Sequence, residues 1–251
     1  MASSGPYSTY TSAPVRPVKT ETTPLRGKVR DSTGCCGDVC DMAAFEYRAD
    51  VKDLELDGRH WRELFGGAIT VDLPTRLVDV SDFRPVPDNQ EVWTDADRDE
   101  SIIVELLERV DVGPSDAEGA AAWFFRDLAA VNDASVESGL SRISRTTVMT
   151  GDEHLPSLNG PFAHASMCVG TQTVAKGRDG DDARNDVEVV VVNVRLPQVR
   201  TDVLVTLNRT TRVAPGSSAD APRAGEEIES AAATATRVAA TLRIRDWNLF
   251  G

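Results

Sequence analysis

The chain has 251 residues (27.1 kDa), of which 41% are hydrophobic and 27% charged, and its 27 Lys and Arg against 40 Asp and Glu leave a formal net charge of −13. That balance disfavours nucleic acid and anionic membrane as partners, because like charge opposes approach, and points to a basic protein surface or simply to solubility. No apolar run reaches bilayer length, and Met1 to Pro14 is rich in Ser, Thr, Pro and Tyr without the apolar centre of a secretory signal.

Residues 1–57 read as a disordered N-terminal extension, dense in Pro, Ser and Thr at first and lacking an apolar period throughout. Lys19, Arg26, Lys28 and Arg30 are scattered and form no compact basic cluster. Cys35, Cys36 and Cys40 resemble part of a metal ligand set, but no second Cys/His pair follows at zinc spacing, so thiols in a reducing compartment are expected. Residues 58–251 then read as the folded part.

Its first strand is expected at Ala68 to Leu73, entered through Gly66 and Gly67 and closed by Pro74. An acidic loop follows, with Asp79, Asp82 and Asp88 around Pro85 and Pro87. The two prolines predict a stiff extended link from Arg84 to Pro87 that holds the flanking carboxylates in place. A second strand is expected at Glu91 to Trp93. Ser101 to Glu108 fits one helical face or a strand buried on both sides; its length and β-branching favour the strand, which points Glu105 and Glu108 to opposite faces.

Ser115 and Glu118 have capping-box spacing, and Ala121, Phe124, Phe125, Leu128 and Ala129 form one helical stripe, with Trp123 read as a core or near-core filler. Strands are predicted near Leu140 to Met149, Ala165 to Ala175, Glu188 to Leu196 and Asp202 to Leu207, the last two joined as an antiparallel hairpin. Lys176 to Asn185 reads as an exposed connection, and 210–225 as a loop insertion. Ile228, Ala231, Ala232, Ala235, Ala239 and Leu242 trace a narrow last helix whose alanines allow close approach to a sheet. Helices before and after an antiparallel run predict a layered α+β domain.

Three segments, LFGGAI, DVSDFRPVPDNQEVW and ESIIVELLE, resemble the hallmark run of the Ran guanine nucleotide release factors, the Mog-one family of Ran-binding proteins. Weaker echoes continue in RLPQVRTDVLVTLN and in the terminal DWNLFG, so the resemblance spans about Leu64 to Gly251. It implies a layered α/β/α fold, with a mostly antiparallel sheet covered by helices on both faces, shared with PsbP-type photosystem proteins. It implies binding to Ran, release of its guanine nucleotide and support of nuclear import, in nucleus and cytoplasm, alongside other Ran regulators.

Nothing in the chain persuades as catalytic machinery: there is no P-loop, no HExxH and no GxSxG, and the histidines are only His60, His154 and His164. His164 and Cys168 share a strand face, but Cys168 reads as a packed thiol. No cofactor and no metal site is expected. The clustered carboxylates admit acid/base work, a hard cation, a solvated loop, or a docking patch for Lys and Arg. The stiff loop and the missing catalytic companions favour docking, by a monomer acting without catalytic residues. The contact candidates are Asp79, Asp82, Asp88, Asn89, Gln90 and Glu91, followed by Glu105 and Glu108, with Phe83 or Trp93 as anchor or as core. A scaffold of the same fold serving another partner, including a PsbP-like role, is the second reading, and an enzyme of unrecognised type the third.

Overall fold

A computed structural model describes residues 59–112, 117–149, 151–158, 164–176, 180–219 and 229–251. The expected extension, the Cys35, Cys36 and Cys40 group, the Ser115 cap, Ile228 and the far part of the 210–225 loop lie outside the described residues.

Two antiparallel sheets are built from ten strands among the described residues. β1 (Arg59–Leu64) turns through Phe65–Gly67 into β2 (Ile69–Pro74), with Leu64 opposite Ile69. Gly66 and Gly67 hold φ of 65° and 91°, the left-handed region where a Cβ is strained, and this is why the turn carries a Gly pair. The short β3 (Val78–Asp79) pairs with β4 (Gln90–Asp95), and β4 pairs in turn with β5 (Glu100–Glu108). After α1 (Ala117–Val131) come β6 (Ser141–Met149), the single turn α2 (Gly151–His154), β7 (His164–Ala175), β8 (Arg184–Leu196) and β9 (Thr201–Arg212). α3 (Ala231–Thr241) and β10 (Arg243–Ile244) follow, then a closing turn at Trp247–Phe250. The small sheet has the order β1-β2-β10 and the large one β3-β4-β5-β9-β8-β7-β6.

Ser101 to Glu108 is a strand, as its length and β-branching indicated, and four of the later strands and their hairpin lie where the sequence placed them. Strand alternation divides the core. Val190, Val192 and Val194 join Ile102, Val104, Leu73, Ala235 and Ala239 in one cluster. Val187, Val189 and Val191 join Phe124, Phe125 and Leu128 in another. Successive residues of β8 therefore feed two separate cores, which explains its nearly continuous valine run.

The α1 stripe packs as its spacing requires: Ala121, Phe124, Phe125, Leu128 and Ala129 are all buried. Phe125 lies so close to β7 that a Cβ at Gly170 would come within 2.5 Å of its ring, so only glycine fits there. Trp123 departs from the expected core position and is 39% exposed, because it faces away from that stripe and stacks edge-on against Phe124.

α3 begins at Ser230, whose Oγ accepts from the Ala233 N–H at 3.2 Å, and ends where the Thr241 hydroxyl accepts from the Asp72 N–H of β2 at 3.0 Å. The helix is thus tied to the small sheet while Ala235 and Ala239, both fully buried, lie against the large one. The connection after β7 is not uniformly exposed. Lys176 is 2% exposed and donates to Asp99 Oδ1 at 2.5 Å, and Asn185, with no exposed surface, accepts from the Ala214 N–H and donates to Ser217 Oγ. Polar side chains here are fasteners, which composition alone cannot reveal.

Ala235→Glu or Ala239→Glu would bury an unpaired carboxylate and is expected to destabilise the fold by roughly 3 kcal/mol or more, read from chemical denaturation; near-normal midpoints for both would place α3 on another face. Separately, among the described residues the buried members of the core clusters run from Leu64 to Leu242. Because residues 1–57 are rich in Pro, Ser and Thr at first and lack an apolar period, a chain starting at Gly58 is expected to keep a cooperative unfolding transition, and loss of that transition would assign residues 1–57 a role in folding.

Candidate functional site

The acidic loop is tied down at both ends. Asp79 Oδ1 accepts from the Ser81 N–H at 2.8 Å and opens a short 3-10 turn at Val80–Asp82, and the Phe83 and Arg84 N–H groups both donate to the Val80 carbonyl. Val80 and Val86 then fold down onto Val92 and Ile103 in a small core of their own. The prolines carry the chain across this core and the Gln90 N–H closes it on the Pro87 carbonyl at 2.9 Å. Asp82 and Asp88 are exposed, and Phe83 is 75% exposed, whereas Trp93 is 6% exposed and belongs to the main core, with the Arg62 guanidinium 5.1 Å above its ring. Of the two aromatic anchors considered, only Phe83 faces solvent.

The eight acidic and amide candidates separate into three groups. Asp88, Gln90 and Glu91 line one open cleft of about 450 Å³, together with Phe65, Arg84, the two prolines and Leu249. Glu105 and Glu108 line a second, smaller cleft against α1, with Asp127, Trp123 and Phe124. Asp79 and Asp82 line neither cleft, and Asn89 stitches the strands: its carbonyl accepts from the Leu106 N–H at 2.9 Å and its Nδ2 donates to the Leu106 carbonyl at 3.3 Å.

Gln90 and Glu105 connect the two clefts. They stand opposite one another in the β4–β5 pairing, both buried, and Gln90 Nε2 donates to Glu105 Oε1 at 2.6 Å. Glu105 is therefore a held carboxylate, not a loose surface charge. Glu108, three residues on, is exposed and only 4.0 Å from Arg200 Nη2 in a loose surface pair. Sequence reasoning missed Phe65 and Leu249 as walls of the first cleft and Asp127 as a wall of the second. The terminal DWNLFG segment was the available signal for Leu249; nothing in the spacing marks Asp127.

Glu91 is partly buried, and its Oε1 accepts from the Phe65 N–H at 2.6 Å. Burial pushes its carboxyl above the usual carboxylate range, the Phe65 N–H bond opposes this, and the neighbouring Asp79 charge adds to the rise. Asp127 is also pushed up, by burial. Cys168 is fully buried and its thiol is raised to about 11 by burial, so at neutral pH it is a packed apolar group and not a nucleophile, and its strand neighbour His164 is exposed. Among the described residues, no group of three or more His, Cys, Asp or Glu side chains is arranged to hold a metal ion.

Residues 62–210 match the family described as Ran-interacting Mog1 protein. The chain belongs to that family. It is 34% identical over 194 residues to the Ran guanine nucleotide release factor of Danio rerio, covering 76% of this chain and 99% of that protein. The Homo sapiens protein of the same name is 33% identical over 193 residues, covering 75% and 95%. Among solved structures, the Saccharomyces cerevisiae Ran-binding protein Mog1p shares the fold, with a TM-score of 0.52 at 24% identity over 77% of this chain and 98% of that one. The Mog1 match runs from within β1 into β9 and so contains the acidic loop and every residue lining the two clefts except Leu249.

Because ionised Glu91 is disfavoured by its surroundings, this group contributes a stability that falls as pH rises from the unfolded carboxyl pKa through the raised folded one. Glu91→Gln keeps an acceptor for the Phe65 N–H without the charge. The variant is expected to gain stability relative to the native chain as pH rises through and above the usual carboxylate range, measured as the difference in urea midpoints; a difference that is flat or shrinks with pH would assign the burial of Glu91 no net effect.

Proposed function

We propose that this chain binds the small GTPase Ran and promotes release of its guanine nucleotide in support of nuclear protein import, acting in nucleus and cytoplasm as a monomer. The observation that carries the reading is near end-to-end similarity to proteins named Ran guanine nucleotide release factor, through a segment that includes the whole acidic loop. A relative named nuclear import protein mog1, from Schizosaccharomyces pombe, aligns over 98% of its own length and supports the transport role.

The framework is a layered domain with helices on both faces of the large sheet; in support, α1 shares a core with Val189 and Val191, and α3 with the intervening Val190 and Val192. The function needs no catalytic residue. A protein that binds nucleotide-free Ran more tightly than loaded Ran must weaken nucleotide binding by the same factor. The contact surface is the acidic loop with Asp79, Asp82, Asp88, Asn89, Gln90 and Glu91, and next to it Glu105 and Glu108. What supports this surface is a set of carboxylates fixed by prolines and by backbone hydrogen bonds around an open cleft, with exposed Phe83 alongside.

The decisive measurement is nucleotide release from purified Ran with and without this protein. Asp82 and Asp88 are the charges to reverse, because both are exposed, whereas Glu91 holds the Phe65 N–H and its reversal would disturb the fold. Asp82→Lys with Asp88→Lys is expected to leave stability within about half a kcal/mol per site. Ran binding should weaken by about 2 kcal/mol or more, and its dependence on salt should become shallower. A folded double variant that binds and releases like the native chain would move the contact surface elsewhere.

A further inference from the structure

The second cleft has a composition that the acidic loop does not explain. It lies between α1 and the β5–β9 part of the large sheet, its walls are largely apolar, and its charged lining is all acidic: Glu105, Glu108 and Asp127. Its volume is about 80 Å³. Small-molecule and nucleotide sites run to about 300–1,000 Å³, so this cleft has room for the end of one side chain and no more.

Asp127 forms part of the wall of this cleft. It sits partly buried on α1, one turn beyond Trp123, with no hydrogen bond or ion pair to any described residue. Burial without a partner raises its carboxyl, a disfavoured arrangement that a cation would relieve. Trp123, unlike the rest of the α1 aromatics, is left 39% exposed at the same cleft, where its ring offers a flat apolar wall. The matching ligand is a long aliphatic stem with a cationic head.

We propose that the cleft beneath α1 is a subsite for one lysine or arginine side chain of the protein partner, its stem against Trp123 and Phe124 and its charge facing Asp127 and Glu108. The inference rests on the Ran reading for the identity of that partner. The subsite is continuous with the acidic loop, because the Gln90–Glu105 hydrogen bond at 2.6 Å joins a residue lining one cleft to a residue lining the other. A single basic face laid across β4 and β5 would therefore meet the loop carboxylates and the α1 cleft together. The loop supplies long-range attraction, and the cleft supplies a shaped recess for one anchor.

The test compares Ran binding by the full chain with that of Asp127→Asn and Trp123→Ala, using calorimetry at two salt concentrations, with melting curves for each. Asp127→Asn keeps the shape and removes the charge; it is expected to bind about five- to tenfold more weakly, with a smaller salt dependence and no loss of melting temperature. Trp123→Ala is expected to weaken binding without changing the salt dependence. As a measurement independent of affinity, a photo-crosslinking residue at position 123 should capture Ran, with the adduct mapping beside a Lys or Arg. If the native chain binds Ran and the loop reversal weakens binding while both cleft variants bind normally, the subsite is overturned and the Ran reading stands. If the native chain does not bind Ran, both fall. A crosslink to a Ran segment lacking any basic residue also overturns the subsite.

Discussion

The pairing of β4 with β5 sets Gln90 opposite Glu105 at one end and Asp95 opposite Glu100 at the other, and both clefts depend on that register. In a strand pair a slip of one residue turns every side chain to the other face. Such a slip would put Trp93 where Val92 now packs under the proline loop, and Glu91 would lose the Phe65 N–H. The loop core of Val80, Val86, Val92 and Ile103 would open with it. The acidic loop and the two clefts beside it are thus fixed by the strand alignment.

The far end of the same pair carries the lock. Glu100 is 1% exposed and takes ion pairs from Arg76 and from Arg209 of β9, whose Nε donates at 2.6 Å, while Asp95 is paired with Arg98 at 2.8 Å and with Arg76. Asp99, with φ of 47°, closes the β4–β5 turn and receives Lys176 and the Thr210 hydroxyl. Taking charges out of water offsets most of what their attraction contributes, so this network adds little net stability compared with an apolar core. Its effect is on alignment: a slip of β5 against β9 would separate Glu100 from Arg209, and a shift of the segment before β3 would separate it from Arg76. It joins β3's approach, β5, β7 and β9 at one corner, which leaves the opposite corner free to carry an exposed acidic loop.

Much of this was legible in the residues. β8 and β9 announced themselves through runs of branched side chains, and α1 through its stripe of Ala121, Phe124, Phe125 and Leu128, because buried elements must satisfy their period along most of their length. The loop was legible because two prolines constrain φ whatever the tertiary context. What escaped were features created by pairing. β1 reads RHWREL, with one buried leucine and no clean alternation, and is a strand only because β2 offers it a partner. Lys176 and Asn185 sit in a polar, Gly/Asp-rich stretch, and their burial follows from partners 77 residues earlier and 32 residues later in the chain. Trp123 was assigned to the core by residue type, although its place on α1 lies off the stripe. The α1 cleft was invisible for the same reason: Glu105 and Asp127 meet only through the packing of α1 on the sheet.

A protein that displaces a nucleotide by binding alone can shift the partner's equilibrium only by its difference in affinity for the two states. Flexible surface carboxylates would spend part of that difference on their own ordering. Here the ordering is already present in the free chain: Asp79 is committed to a turn, Glu91 to the Phe65 N–H and Glu105 to Gln90. Glu91 and Asp127 go further, since burial has already removed part of their hydration. A cationic group docking beside either one meets a carboxylate that loses less water on contact than a fully exposed one would. The same linkage runs through protons: a cation that favours the ionised form lowers these raised carboxyl pKa values, so binding and proton release are coupled in the acid range. On the proposed reading, surface charge brings a basic partner near and the partly desolvated carboxylates hold it.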